Sequence, residues 1–222
     1  MFKYDGPFFN FLSRIMDLIL LNIAWMICCL GIITIGPATT ALYSVMFKMK
    51  ESKDYSAVAQ FFLEFIHVFR KAFPASCVFA LLNVLLFIDF RVVYYDENFA
   101  FPALKGLFWA VLAVSCGYFS WLFPLIAKFE NSVKEHFRNA RLMLVRHLPV
   151  TVIITMLNLL PWLLAYFAPI LTFQKMLLFW LFMGFSLIAY VNAVFLYRCF
   201  YQYFDQNYID KLNKAKQDIS KR

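Results

Sequence analysis

Four asparagines, Asn22, Asn83, Asn158 and Asn192, lie inside otherwise apolar runs. A carboxamide surrounded by hydrocarbon must find its hydrogen-bond partners on neighbouring helices. Each is therefore a candidate for joining helices or for holding a polar solute or ion on a pathway through the protein, and the structural role is the commoner one. A second group is cationic: Lys134, Arg138 and Arg141 recur at spacings of three and four and so share a helical face, a surface suited to contact with a partner. Metal and nucleophile chemistry finds little to work with. His67, His136 and His147 show no His-Glu-x-x-His and no other ligand spacing, so neither a metal site nor a cofactor is expected. Cys28, Cys29, Cys77, Cys116 and Cys199 contain no Cys-x-x-Cys, and an odd number is no disulfide framework; buried thiols in apolar runs act as small apolar side chains. No phosphate-binding glycine loop and no Gly-x-Ser-x-Gly is present, and no enzymatic activity is expected.

The elements that would position these groups are set by composition. Of the 222 residues 63% are hydrophobic and 20% aromatic, with mean hydropathy +0.69, against an apolar share of about 45–50% in soluble domains. The solvent for most of this chain is a lipid bilayer. A net charge of +8 and a pI near 9.3 would suit nucleic acid only on a soluble basic face. Here the cations sit between apolar runs, so nucleic-acid binding is not expected and membrane topology explains the charge.

The run Leu18 to Gly36 carries no charge and would cross about 29 Å as a helix, close to the ~30 Å hydrocarbon core. It exceeds the apolar core of a signal peptide and lacks a purely basic leader, so cleavage is not expected. Residues 1–17 read as an amphipathic interfacial helix. After a break or restart at Pro37, the segment from Ser56 to Ala72 alternates Val58, Phe61, Phe65 and Phe69 with Gln60, Glu64, His67 and Lys71, an amphipathic helix too polar to span. Further spans are expected at 72–90, 106–127, 148–169 and 176–197. The second would begin with Pro74 in its first turn and end at Asp89 and Arg91. Ala113 and Gly117 form a small-xxx-small pair on the third, open to close approach by another helix. A second amphipathic segment, 128–146, lies between the third and fourth, with Glu130 placed to pair with Lys134 along a helix. The expected fold is thus all-α, a polytopic membrane protein of about five spans with two cytoplasmic amphipathic helices and a basic tail at 198–222.

Five spans would place both amphipathic segments and the tail on one side. Of the 21 Lys and Arg residues only Lys3, Arg14, Arg91, Lys105 and Lys175 then fall on the other. The positive-inside rule puts the majority side in the cytoplasm of a cell with the protein in its plasma membrane, and the N-terminus outside. Superposing Phe73-Pro74 on Leu148-Pro149 also aligns Asn83 with Asn158, which suggests a parallel repeat of span, proline, amphipathic helix, proline and span.

Four stretches, Asp5 to Leu12 (DGPFFNFL), Asp17 to Asn22 (DLILLN), Thr34 to Tyr43 (TIGPATTALY) and Phe123 to Asn131 (FPLIAKFEN), resemble the YesL family of bacterial integral membrane proteins of unknown function. The resemblance covers most of the chain and is most specific at Thr34 to Leu42. It implies a genomic setting beside carbohydrate-uptake ABC transporters and glycoside hydrolases, and it carries over no catalytic residue. Two functions of different kinds follow as expectations. One is an accessory protein that docks on sugar ABC transporter subunits through its cytoplasmic helices, with Lys134, Arg138 and Arg141 as contacts. The other is a small secondary transporter with a solute site between the repeats, near the asparagines. A permease subunit is a third: Glu135 to Pro149 is similar to the permease coupling loop in ending on Leu-Pro, yet lacks its Glu-Ala-Ala start and its glycine.

Overall fold

A backbone among apolar neighbours can bond only to itself, so long uncharged runs become helices. The computed structural model describes residues 7–51, 56–95, 102–167 and 177–220. It is 94% helical, with no strand among the described residues. In chain order these are α1 (Pro7–Cys28), a 3-10 turn (Ile32–Thr34), α2 (Ile35–Glu51), α3 (Ala57–Tyr95), α4 (Pro102–Lys128), α5 (Val133–Arg146), α6 (Leu148–Phe167), and a π-helical turn (Trp180–Gly184) that runs into α7 (Phe185–Ser220). Five apolar windows, Phe11–Cys28, Ile32–Lys50, Ala57–Leu86, Gly106–Lys128 and Leu177–Tyr201, are long enough to cross a membrane. The pair α5 and α6, bent by 105°, makes a sixth candidate.

The helix at the centre of the bundle is α2, whose Ala38, Ala41 and Val45 have no exposed surface and whose Phe47 is packed edge-on against Phe200 of α7 at 5.8 Å. Around it, α3 and α4 meet through Phe79 and Phe119 at 4.7 Å, and α4 meets α6 where Trp121 donates to the Thr151 hydroxyl at 2.8 Å. Gly117 gives the close approach expected of it, since a Cβ there would stand 3.3 Å from Thr151 and Thr155 of α6; Ala113 instead faces outward. Large apolar side chains cover the outside of α1, α3, α4 and α6, including Leu20, Leu81, Val114 and Met156.

Several expectations change. The run 18–36 is not one helix: α1 ends at Cys28 and α2 begins at Ile35, so the break precedes Pro37, which sits in the first turn of α2, where its missing N–H costs nothing. Residues 7–17 are no separate interfacial helix but the start of α1. The amphipathic segment 56–72 and the expected span 72–90 form one helix, α3, which continues through Pro74; fully buried Ala72 and Ala75 pack on either side of the proline and hold the axis despite the lost backbone bond. In the second half of the chain the corresponding junction is bent by 105° at His147, so the two halves do not repeat the same shape. Glu130 lies before α5 rather than on it, because Ser132 caps that helix, and it faces Lys71 at 4.0 Å instead of Lys134.

The sides of the bundle also differ from expectation. Arg14 donates to the Tyr190 hydroxyl, the Ser186 hydroxyl donates to the Leu18 carbonyl, and Asn22 donates to the Trp180 and Leu181 carbonyls. Rising numbers in α1 thus meet falling numbers at the start of the last helix, so the two run antiparallel. The beginning of α1 and the end of the α7 span lie at the same end of the bundle, not at opposite ends, because the run 18–36 supplies two helices where one was counted. The end of the fourth expected span near Pro169, the turn at Lys175, the 96–101 connection, and Lys3, Asp5, Lys53, Lys221 and Arg222 lie outside the described residues.

One small set of atoms joins the 3-10 turn, α2, α3 and α4. The Gly36 amide donates to the Ser76 hydroxyl at 3.0 Å, and that hydroxyl donates to the Ile33 carbonyl. A Cβ on Gly36 would lie 2.7 Å from both Cβ and Oγ of Ser76 and 2.9 Å from the Phe123 ring. Gly36→Ala is therefore expected to destabilise the folded protein by about 1–3 kcal/mol, seen as a lower Tm in detergent, with Ser76→Ala causing a smaller loss. An unchanged Tm for Gly36→Ala would show that α2 and α3 do not meet there.

Candidate functional site

The asparagines do not act as one group. Asn22 is fully buried and fully used: its Nδ2 reaches the Trp180 carbonyl at 3.0 Å and the Leu181 carbonyl at 2.8 Å, and its Oδ1 accepts from the Ser186 amide at 2.9 Å. A π-helical turn frees backbone groups from the ordinary ladder, and Asn22 takes them up. Gly184 closes that turn because a Cβ there would lie 2.1 Å from the Trp180 ring. Asn83 bonds its own helix, donating to the Phe79 carbonyl at 2.7 Å, and is not brought to Asn158.

Asn158 and Asn192 do meet. The Asn192 Nδ2 donates to the Asn158 Oδ1 at 2.8 Å and to the Tyr43 hydroxyl at 3.2 Å; the Asn158 Nδ2 donates to the Ser120 hydroxyl at 2.8 Å, which donates to the Cys116 carbonyl at 2.7 Å. One polar chain thereby ties α2, α4, α6 and α7. Its supply of partners is incomplete, since Asn192 Oδ1 and the nearby Thr155 hydroxyl are buried with none. Beside it lies a cavity of about 80 Å³, with Trp25, Thr39, Tyr43, Asn158 and Pro161 in its lining. At ~30 Å³ per water that is room for a few waters, far below the ~300–1,000 Å³ of pockets that hold drug-sized ligands. Tyr43 and Ser120 escaped the sequence reading because tyrosine and serine are ordinary in apolar runs, and only the fold shows what they face.

The three cations expected on one helical face lie together in the structure. Lys134, Arg138 and Arg141 line a groove of about 590 Å³ with Tyr118, Glu135 and Phe137, and none of the three forms an ion pair among the described residues. The groove is built by α5, whose start is fixed by a capping box: Ser132 Oγ accepts from the Glu135 amide at 3.4 Å while the Glu135 carboxylate accepts from the Ser132 amide at 3.0 Å. Those bonds hold the Glu135 pKa below its ordinary value, so it stays ionised there. The signal was legible as Ser-x-x-Glu. Tyr118 donates to the Phe137 carbonyl at 3.0 Å, and Thr151 donates to the Leu144 and His147 carbonyls, so α4 and α6 locate both ends of α5. Further cations stand over rings at the same end of the bundle: Lys50 at 4.6 Å from Tyr197, and Arg146 at 5.3 Å from Tyr203.

On the inner face of α5, His136 is 1% exposed and neither ring nitrogen makes a hydrogen bond of ordinary geometry, the Asn131 backbone standing near. Burial, with Lys71 nearby, lowers its pKa from the ordinary 6.5, so the folded state keeps it neutral. His147 is lowered too, by burial and Arg146.

Two predictions follow from this geometry. Unfolded chains take up protons on these histidines at pH values where the folded protein does not, so stability is complete above about pH 6.5 and declines as pH falls below it. The Tm should be lower at pH 5.5 than at 7.5, and His136→Leu should flatten that slope, leaving the part due to His147; a slope equal to wild type would remove His136 from the account. For the polar chain, a double-mutant cycle of Asn158→Ala and Asn192→Ala should give a coupling of about 0.6–1.7 kcal/mol in reversible unfolding, whereas strict additivity would mean that the two side chains do not bond.

Residues 18–90, which hold Asn22, the turn between α1 and α2, and Ser76, match the model of a family described as a protein of unknown function, DUF624. Two proteins of Bacillus subtilis (strain 168) are similar. Uncharacterized protein YteU is 29% identical over 201 residues, 86% of this chain and 84% of that one; uncharacterized protein YesL is 26% identical over 133 residues, 57% and 61% respectively. No solved structure matches. The matched segment and these two relatives support the resemblance to the YesL-type, DUF624 proteins of unknown function.

Proposed function

We propose that the protein is a non-enzymatic accessory component of a carbohydrate-uptake system in the bacterial plasma membrane, which docks on sugar ABC transporter subunits through the cationic groove of α5. The observation that carries this reading is the groove itself: three cations without ion-pair partners among the described residues, held on a helix fixed at both ends, at an open surface. The carbohydrate setting rests on what the family resemblance implies. The end of the bundle bearing the groove also holds Lys48, Lys50, Lys128 and Arg146, and the positive-inside rule makes that end cytoplasmic, with the start of α1 and the end of the α7 span on the same side.

A second reading, a small secondary transporter, draws on the unpartnered Asn192 Oδ1 beside the 80 Å³ cavity. The size of that cavity favours the accessory role, since a sugar-sized solute would need the helices to part.

Purification of the tagged protein from its own host in mild detergent, with mass spectrometry of what accompanies it, tests the proposal. Transporter subunits are expected at near-stoichiometric amounts, and Lys134→Glu/Arg138→Glu/Arg141→Glu should cut their recovery at least tenfold at unchanged expression and Tm. Unchanged recovery would remove the groove as the contact. A protein that comes alone, and that moves a sugar or ion in vesicles until Asn158→Ala abolishes the flux, would establish the second reading instead.

A further inference from the structure

The turn between α1 and α2 lies halfway along the longest helix. Ser76, which binds the Gly36 amide and the Ile33 carbonyl, is the middle residue of α3 (Ala57–Tyr95), a helix of 39 residues and so about 58 Å long. Along α3 the nearest charges are Arg70 and Lys71, about 8 Å away toward the basic end, and Asp89, about 20 Å away in the other direction. Between Ser76 and Asp89 the helix carries no charge, its one carboxamide, Asn83, bonds its own backbone, and it presents Val78, Leu81, Val84 and Leu85 outward. The turn thus stops well short of the far polar boundary.

Its chemistry fits that depth. From Leu18 to Phe47 there is no Asp, Glu, Lys or Arg, whereas the chain around the α3–α4 connection holds Asp89, Arg91, Asp96, Glu97 and Lys105. At the tip Leu30 is 86% exposed, with Ile32 and Ile33 exposed beside it. Three large exposed apolar side chains on a stretch without charge are unfavourable in water and at ease among acyl chains. An irregular backbone at that depth must be satisfied by the protein itself. Here the Thr34 hydroxyl binds the Cys28 and Gly31 carbonyls, both at 2.6 Å, the Cys29 amide binds the Trp25 carbonyl, the Thr34 amide binds the Gly31 carbonyl, and Ser76 serves Ile33 and Gly36.

We infer that α1 and α2 form a re-entrant hairpin: both enter the bilayer from the basic end of the bundle, and the turn at 28–36 ends within the hydrocarbon, with Leu30, Ile32 and Ile33 against lipid acyl chains. The crossings then belong to α3, α4, α6 and α7. This arrangement goes beyond the proposed docking role and holds whether or not a transporter partner exists.

The test uses the full chain in vesicles. With the five native cysteines replaced by alanine or serine, Leu30→Cys carries a nitroxide label, and its collisions with oxygen and with a water-soluble nickel chelate are compared. Leu85→Cys on the outer face of α3 serves as the hydrocarbon reference and Lys134→Cys as the aqueous one. The label at position 30 is expected to collide with oxygen as at 85 and to meet the chelate at least tenfold less than at 134. Chelate collisions equal to those at 134 would place the tip in water and overturn the inference. An independent readout leaves the turn unaltered: with only Cys77, Cys116 and Cys199 replaced, Cys28 and Cys29 should resist a membrane-impermeant maleimide applied from either face, and labelling from the far face would equally overturn it.

Discussion

A polar atom held among apolar helices has no water to fall back on, and in this bundle that constraint decides where the helices meet. Two junctions among α1, α2, α3 and α7 are made where one side chain supplies what a break in the backbone withholds. Ser76 serves the restart of α2 at Gly36 and the carbonyl before it. Asn22 serves the π-helical turn that leads into α7, and Ser186 returns a bond to α1 at Leu18. Removing any of these leaves a buried N–H or C=O alone, at a cost of about 1–3 kcal/mol. Breaks and hydroxyl or amide side chains therefore come in pairs.

The same rule separates the two polar regions of the molecule. In the interior, Tyr43, Asn158, Asn192 and Ser120 bond one another in a line and leave only a small space beside them, so they bind helices together more than they hold a guest. At the basic end the opposite holds. Lys134, Arg138 and Arg141 project from a helix that is capped by Ser132 and Glu135 and tied down by Tyr118 and Thr151, and none of the three forms an ion pair among the described residues, although the Glu135 carboxylate feels the charge of Arg138. A fixed helix that presents three cations at an open surface is why the proposed docking role draws on α5 and not on the core.

The candidate site was legible only in part. Grouping Lys134, Arg138 and Arg141 needed nothing beyond helical spacing, and the groove confirms that they share a face. The asparagines were found by type, because an amide in an apolar run stands out, but their grouping was not. Aligning Asn83 with Asn158 on the prolines suggested a shared site; in the fold Asn83 turns back on its own helix and Asn192, from the last span, takes that place. Proline positions mark where a helix can break, and whether it does depends on neighbours: α3 runs through Pro74 because Ala72 and Ala75 are clamped, while the chain at His147 bends by 105°.

By itself the sequence determined that this is an all-helical chain with several runs apolar enough to cross a membrane. Those properties depend on composition and local periodicity, which no packing can override. The tertiary structure alone decided that the charge-free run after Leu18 is two antiparallel helices, that the start of α1 and the end of the α7 span share one end of the bundle, and that Tyr43, Asn158, Asn192 and Ser120 form one chain. The physical reason is that a turn with no charge looks, residue by residue, like more of the same span. Its signal is the hydroxyl of Ser76, distant in sequence, which becomes a partner only once the helices have packed.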